Sequence, residues 1–245
     1  MKEKLHTIPV LDAFGQDCEC PVCAMYQKLE ENAINYTIGA GASYMEEDIR
    51  AQTDEQGFCR RHLQDLYRYP NKIGLALILK THMDYTIREL EKAAKAPLPS
   101  PNSLLRKNRK CTSPVIDYIE AQEQKCFVCG YISRSFENYL RTIFYLYERE
   151  EDFRRQFEES KGFCTAHYKT LFALAPEYLN KKYLEPFLTT LSHLYLTHFK
   201  RVRDDVEWFI CKNDYRYREE PWKNAKDALP RALTKTGSIS VSLME

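Results

Sequence analysis

The chain has 245 residues, room for one large domain or two small ones, and its 29% of charged residues cancel to a formal +1. A balance so near zero argues against a nucleic-acid-coating protein, which carries a strongly basic face or net charge. The start, MKEKLHTIPVLDAF, lacks the apolar stretch of a secretory signal, and no window approaches the roughly 18 apolar residues that span a bilayer. A cytoplasmic protein without a membrane span is therefore expected, with its nine cysteines kept reduced.

In chain order, Thr7 stands before Pro9-Val10 and reads as an N-cap with proline near the first helical position. PVLDAF is followed by CPVC at 20–23 and by GAGAS at 39–43. The two glycines of GAGAS fit a turn or helix packing better than phosphate binding. Next comes GFCRRHL at 57–63, and then Leu75, Leu79, His82, Thr86 and Leu90 mark one stripe of a helix.

Residues 96–112, rich in Pro and Ser and ending in the basic run LLRKNRK, read as an exposed linker. Ser113 then caps PVIDYI, followed by CFVC at 126–129 and GFCTAHY at 162–168. Leu184, Leu188, Leu191, Tyr195, His198, Val202, Val206 and Phe209 form the stripe of a long helix. From 213 to 245 a polar tail interleaves Tyr215, Tyr217 and Trp222 with Arg216 and Arg218, a pattern that suits a strap packing back on the domain.

The two halves repeat. Pro9 to Cys20 spans 11 positions and Pro114 to Cys126 spans 12, while Cys23 to Cys59 spans 36 and Cys129 to Cys164 spans 35. One CxxC arises by chance; this series in the same order at matching distances points to an internal duplication. The fold class expected is all-α, in two tandem pseudo-repeats, each a small helical bundle pinned by a Cys3His zinc site. The boundaries are 7–95 for the first repeat, 96–112 for the linker, 113–212 for the second repeat and 213–245 for the tail.

A CxxC turn places two thiolates side by side, and a CxxH that opens a helix does the same for a thiolate and an imidazole. Two such half-sites complete a tetrahedral shell of three sulfurs and one nitrogen, a standard structural zinc composition. The sequence order suggests Cys20, Cys23, Cys59 and His62 as one set, and Cys126, Cys129, Cys164 and His167 as the other. Gly57 and Gly162, two residues before each CxxH, suit a chain reversal into a new helix. Helix N-termini favour thiolates, and the neighbouring cations Arg60, Arg61, Lys125 and Lys161 are expected to add to that field.

Two zinc ions per chain are thus the expected cofactors, with an iron–sulfur cluster as the minority alternative because clusters are normally ligated by cysteine alone or at other spacings. Cys18 has Gln124 as its counterpart and so breaks the symmetry; it reads as an incidental cysteine before an extra ligand or a reactive thiol. Cys111 and Cys211 have no place in the pattern. His82 and His198 lie on apolar stripes, where hydrogen-bonded core histidines outnumber ligands, and His6 and His193 carry no signal. No phosphate loop, HExxH or GxSxG occurs.

CPVC with GFCRRH, and CFVC with GFCTAH, resemble an uncharacterised bacterial family of helical proteins with two such cysteine–histidine repeats. The resemblance runs from Pro9 to EPWKNAKDALPRAL and implies no activity. A closed four-ligand site is architectural by default, so the first functional expectation is a zinc-stabilised binding or adaptor module; its partner is unknown from the sequence, another protein being one candidate. The second is a thiol-redox or metal-responsive protein using Cys18 and a CxxC pair, and the third an enzyme with an open zinc site.

Overall fold

In the computed structural model the structure describes residues 3–41, 43–96 and 113–239, with side chains from His6 onward. Among them there are eleven α-helices, two short 3₁₀ turns and no strand. Cys111, most of the expected linker and the last residues of the tail lie outside the described residues. None of the helices is long and apolar enough to cross a membrane.

The chain divides into two compact units, one of residues 1–28 and 135–245 and the other of residues 29–134. This division differs from the repeat boundaries at 95 and 113. It falls inside two helices, α2 (Pro21–Ile38) and α7 (Phe127–Arg149).

The first unit holds α1 (Glu3–Phe14), the opening turns of α2, the later part of α7, α8 (Glu151–Glu159), α9 (Thr165–Tyr178), α10 (Lys181–Cys211) and α11 (Ala228–Gly237). Its core is aromatic. Phe14 at the end of α1 meets Phe153 and Phe157 of α8 at ring-centroid distances of 4.9 and 5.8 Å, and Phe163 at 6.2 Å. Phe187 of α10 closes the cluster against Tyr147 at 4.9 Å and Phe157 at 5.1 Å. Tilted and edge-on aromatic pairs of this kind add about 0.5–1.5 kcal/mol each beyond the area they bury. Phe153 and Phe157, four residues apart, share one face of a short helix that is otherwise charged, which is why α8 docks with that face inward.

The second unit holds the rest of α2, α3 (Glu47–Gln56), α4 (Arg60–Arg68), α5 (Lys72–Lys95), α6 (Pro114–Glu123) and the first turns of α7. Leu29, Ala33, Ile49, Leu66, Leu75, Ile78, Val128 and Ile132 are buried in it. α5 packs on α3 and α6. Asn71 caps α5 by accepting from the Gly74 N–H at 2.9 Å, and Ser113 caps α6 by accepting from Ile116 at 3.3 Å with Pro114 in the first turn. Thr7, by contrast, lies inside a helix that spans Glu3–Phe14, with Pro9 in its second turn. There proline forfeits one intrahelical hydrogen bond, and the helix continues through it.

The tail is more structured than its polarity suggests. Trp208 donates its indole N–H to the Pro221 carbonyl at 3.0 Å, Lys223 stands 3.9 Å over the Trp208 ring, and Trp222 packs on Phe209. This strap leads into α11.

Candidate metal centres

Four helices of the fold begin in the same way. Cys20, Cys59, Cys126 and Cys164 each accept, through the backbone carbonyl, the first hydrogen bond of α2, α4, α7 and α9. The second donor residue of each pair lies three positions on, in the first turn, on the same face. In three cases the leading sulfur also caps the helix. Cys20 accepts from the Cys23 N–H at 3.4 Å, Cys126 from Cys129 at 3.5 Å, and Cys164 from His167 at 3.4 Å. The positive dipole ends of the four helices therefore lie at the leading cysteines.

Glycine makes the entry to the two CxxH helices. Gly57 has φ of 56° and Gly162 of 74°, a region that favours glycine. A Cβ on Gly162 would stand 2.9 Å from the Leu194 carbonyl oxygen, and one on Gly57 would meet the His82 ring at 2.7 Å.

The eight expected donors form two clusters, but not in the expected sets. Cys20 and Cys23 meet Cys164 and His167, while Cys59 and His62 meet Cys126 and Cys129. The expectation that each repeat closes its own site is corrected: each centre takes its CxxC from one repeat and its CxxH from the other. Packing beside the ligands explains the exchange. Phe14 precedes Cys20 by six residues and packs on Phe163, the residue before Cys164. In the second unit Phe58, the residue before Cys59, packs on Phe127, the residue after Cys126, at 6.4 Å, and the Phe127 N–H donates to the Gly57 carbonyl at 3.0 Å.

The distances fit a tetrahedral ion. Bond lengths of about 2.3 Å to sulfur and about 2.0–2.1 Å to nitrogen give S···S edges of about 3.8 Å and S···N edges of about 3.6 Å around zinc. In the first unit His167 Nδ1 lies 3.5, 3.3 and 3.2 Å from the sulfurs of Cys20, Cys23 and Cys164, and Cys23 and Cys164 are 3.6 Å apart. In the second, His62 Nδ1 lies 3.3 Å from each of Cys59, Cys126 and Cys129, and Cys59 and Cys129 are 3.9 Å apart. Both clusters could hold a metal ion.

Charge within each cluster favours one thiolate and resists the others. Hydrogen bonds from Cys20 and Cys23 hold Cys164 far below an ordinary thiol. Burial and the Cys164 sulfur push Cys20 up to about 12, and the Cys164 and Cys20 sulfurs push Cys23 up as well. In the second unit burial works against Cys126, yet the His62 hydrogen bond brings it down to about 6, while burial and Cys126 push Cys129 up to about 12. Burial would lower His62, but its bonds to Cys126 and Glu30 raise it to about 10. A dication in the middle would let all three sulfurs ionise together.

Several contributors carried no sequence signal. Glu30, buried on α2, takes His62 Nε2 at 3.1 Å and the Arg61 guanidinium at 2.7 Å. In the first unit the Lys235 ammonium, 1% exposed, donates to the Glu19 carbonyl at 2.7 Å and to the Lys161 carbonyl, and pairs with the Glu19 carboxylate at 3.2 Å. Arg201 grips the same carboxylate at 2.6 and 2.8 Å. Lys235 of α11 thereby ties the loop before Cys20 to the loop before Cys164. Ser238 adds a hydroxyl 3.0 Å from the Cys164 sulfur. A Glu in a Glu-Glu pair on a helix and a Lys in a polar tail look like solvated surface in the sequence.

The expected cation field is partly diverted. Arg61 pairs with Glu30, Lys125 with Glu55 at 3.7 Å and Lys161 with Asp17, so carboxylates take these charges. Cys18 stands apart from the cluster, its thiol 3.9 Å from the Ala13 carbonyl and pushed up by burial. Cys211 is half-buried at the end of α10. His82 meets the Asp54 carbonyl through Nδ1 at 2.8 Å, His198 accepts from Arg201 at 3.1 Å, His6 packs on Tyr139, and His193 is exposed.

Comparison with curated proteins and with solved structures found no match. A family model does match, over residues 1–242, and the chain belongs to that family, DUF6062, a family of unknown function.

Proposed function

We propose that the protein is a zinc-stabilised helical binding or adaptor module of the cytoplasm, carrying two structural Cys3His sites. The observation that carries this reading is the closure of each cluster. Three sulfurs and one imidazole nitrogen lie at tetrahedral edge lengths on two helix N-termini, which fills a zinc shell with protein donors. A closed shell leaves no position for water or substrate, so the ion's work is to fix how helix ends meet. The crossed sites fit a duplication in which the repeats exchanged half-sites.

A binding role is supported by α5, whose solvent face exposes Ile73, Leu77, Met83 and Ile87 around the Lys80–Asp84 ion pair. Exposed apolar side chains set among charges suit contact with a partner protein. The thiol-redox reading has less behind it, since Cys18 belongs to neither cluster and burial raises its thiol.

The test is elemental analysis of protein purified without added metal, followed by cobalt substitution. About two zinc ions per chain and a tetrahedral cobalt–thiolate spectrum are expected. A metal-free, fully folded chain would overturn the reading, and brown protein with visible absorption would move it to an iron–sulfur cluster.

A further inference from the structure

We infer that Glu30 is a positioning residue that makes the two metal centres unequal, so that the ion held by Cys59, His62, Cys126 and Cys129 binds more tightly and leaves last. The inference rests on the zinc reading above and concerns how one of those sites is tuned.

In both centres the histidine presents Nδ1 to the sulfurs and turns Nε2 away. Neutral imidazole carries one proton, and Nδ1 offers a lone pair to a metal only if that proton sits on Nε2. In the second unit Glu30 enforces this arrangement. Its carboxylate, 7% exposed at the side chain, is 3.1 Å from Nε2 of a histidine that is itself 2% exposed. A buried carboxylate accepts the Nε2–H, fixes the ring's rotation and makes Nδ1 a stronger donor. Arg61 holds the other carboxylate oxygen at 2.7 Å, which sets the carboxylate's orientation and balances its charge. A carboxylate–histidine pair of this type is worth 10- to 100-fold in metal affinity.

The other centre lacks the device. The duplication aligns Glu31-Asn32 with Glu137-Asn138, so the counterpart of Glu30 is Phe136. Its ring packs on His167 at 5.8 Å, a tilted contact that supplies neither charge nor a strong acceptor. Among the described residues no carboxylate pairs with His167, and His167 is half-buried where the His62 side chain is 2% exposed. Ser238 touches the Cys164 sulfur there, but a hydroxyl bond to thiolate draws charge from the ligand and weakens its hold on a metal. Each difference orders the sites in the same direction.

The experiment is zinc release from the fully loaded chain into excess EDTA containing a chromogenic zinc indicator. Two phases of equal amplitude are expected, separated by ten-fold or more. Cys23→Ser should remove the fast phase and Cys129→Ser the slow one. Glu30→Gln keeps an acceptor for Nε2–H but loses the charge, and should speed the slow phase at least several-fold without moving the fast one. Arg61→Ala, at an exposed position, removes the cation that orients and neutralises Glu30; it should shift the slow phase and leave the fast one in place, and it serves if Glu30→Gln fails to fold. Cobalt spectra should change in Glu30→Gln at one site only, which a purely structural defect would not produce. Two zinc ions leaving at one rate, or a slow phase indifferent to both substitutions, would overturn this inference while leaving the zinc reading intact. A folded chain that takes up no zinc would overturn both.

Discussion

Replacing Lys235 by methionine keeps an unbranched chain of similar length and removes only the ammonium. In the native protein that group is 1% exposed and serves three acceptors: the Glu19 carbonyl at 2.7 Å, the Lys161 carbonyl, and the Glu19 carboxylate at 3.2 Å. The Glu19 carbonyl is buried and the Lys161 carbonyl partly so, and leaving them without a partner costs about 1–3 kcal/mol each. Glu19 retains Arg201 at 2.6 and 2.8 Å, so its carboxylate is not orphaned, and no ammonium need be desolvated. The net loss should be about 3 kcal/mol. For a chain of this size that lowers the melting temperature by about 6–12 °C. Because α11 ties the loops that carry Cys20 and Cys164, the lost stability should be accompanied by faster proteolysis within residues 213–239. Denaturant unfolding of the metal-loaded chain, monitored by circular dichroism, gives the number. A loss below about 1 kcal/mol would refute the assignment of Lys235 as the tie between those loops.

Gly162→Ala should cost at least about 2 kcal/mol, because φ of 74° and a Leu194 oxygen 2.9 Å from the new Cβ both oppose it. Gly41→Ala, with nothing within 4 Å, should change stability by less than about 0.5 kcal/mol, and thermal melts distinguish the two. His198 is held below its ordinary value by burial and then by Arg201, so the unfolded chain takes up this proton first as the pH falls. Stability should therefore decline as the pH drops through about 6.5 and level off below the folded value, and His198→Gln should flatten that segment of the stability–pH curve. Phe157→Ala, at the centre of the aromatic cluster, should cost about 3–5 kcal/mol by denaturant titration.

All eight donors were legible in the sequence because their spacing is local. CxxC and CxxH put two donors on one face of a helix start, and the repetition of CPVC and GFCRRH as CFVC and GFCTAH separates signal from chance. Gly57 and Gly162 were legible for the same reason, since a reversal before each CxxH demands a glycine. The pairing was not legible. Each half-site is chemically interchangeable with its copy, and the entropy of closing a longer loop grows too slowly to choose between partners. The choice lies with contacts distant in sequence, Phe14 on Phe163 and Phe58 on Phe127, which fix which helix starts meet. Glu30 and Lys235 carry no signal in the sequence because a charged residue is normally a surface residue, and only the fold supplies the partners that make burial tolerable. Thr7 does not start α1, because the helix runs on through Pro9 and a single proline is weak punctuation.

The most direct measurement is zinc content of two double variants, each purified folded as judged by circular dichroism. Cys23→Ser with Cys164→Ser removes two donors from one centre and should leave about one zinc per chain. Cys23→Ser with Cys59→Ser removes one donor from each centre and should leave both unable to close, with zinc near zero. The reverse result, one zinc retained by Cys23→Ser/Cys59→Ser and none by Cys23→Ser/Cys164→Ser, would mean that each repeat closes its own site and would contradict the crossed arrangement.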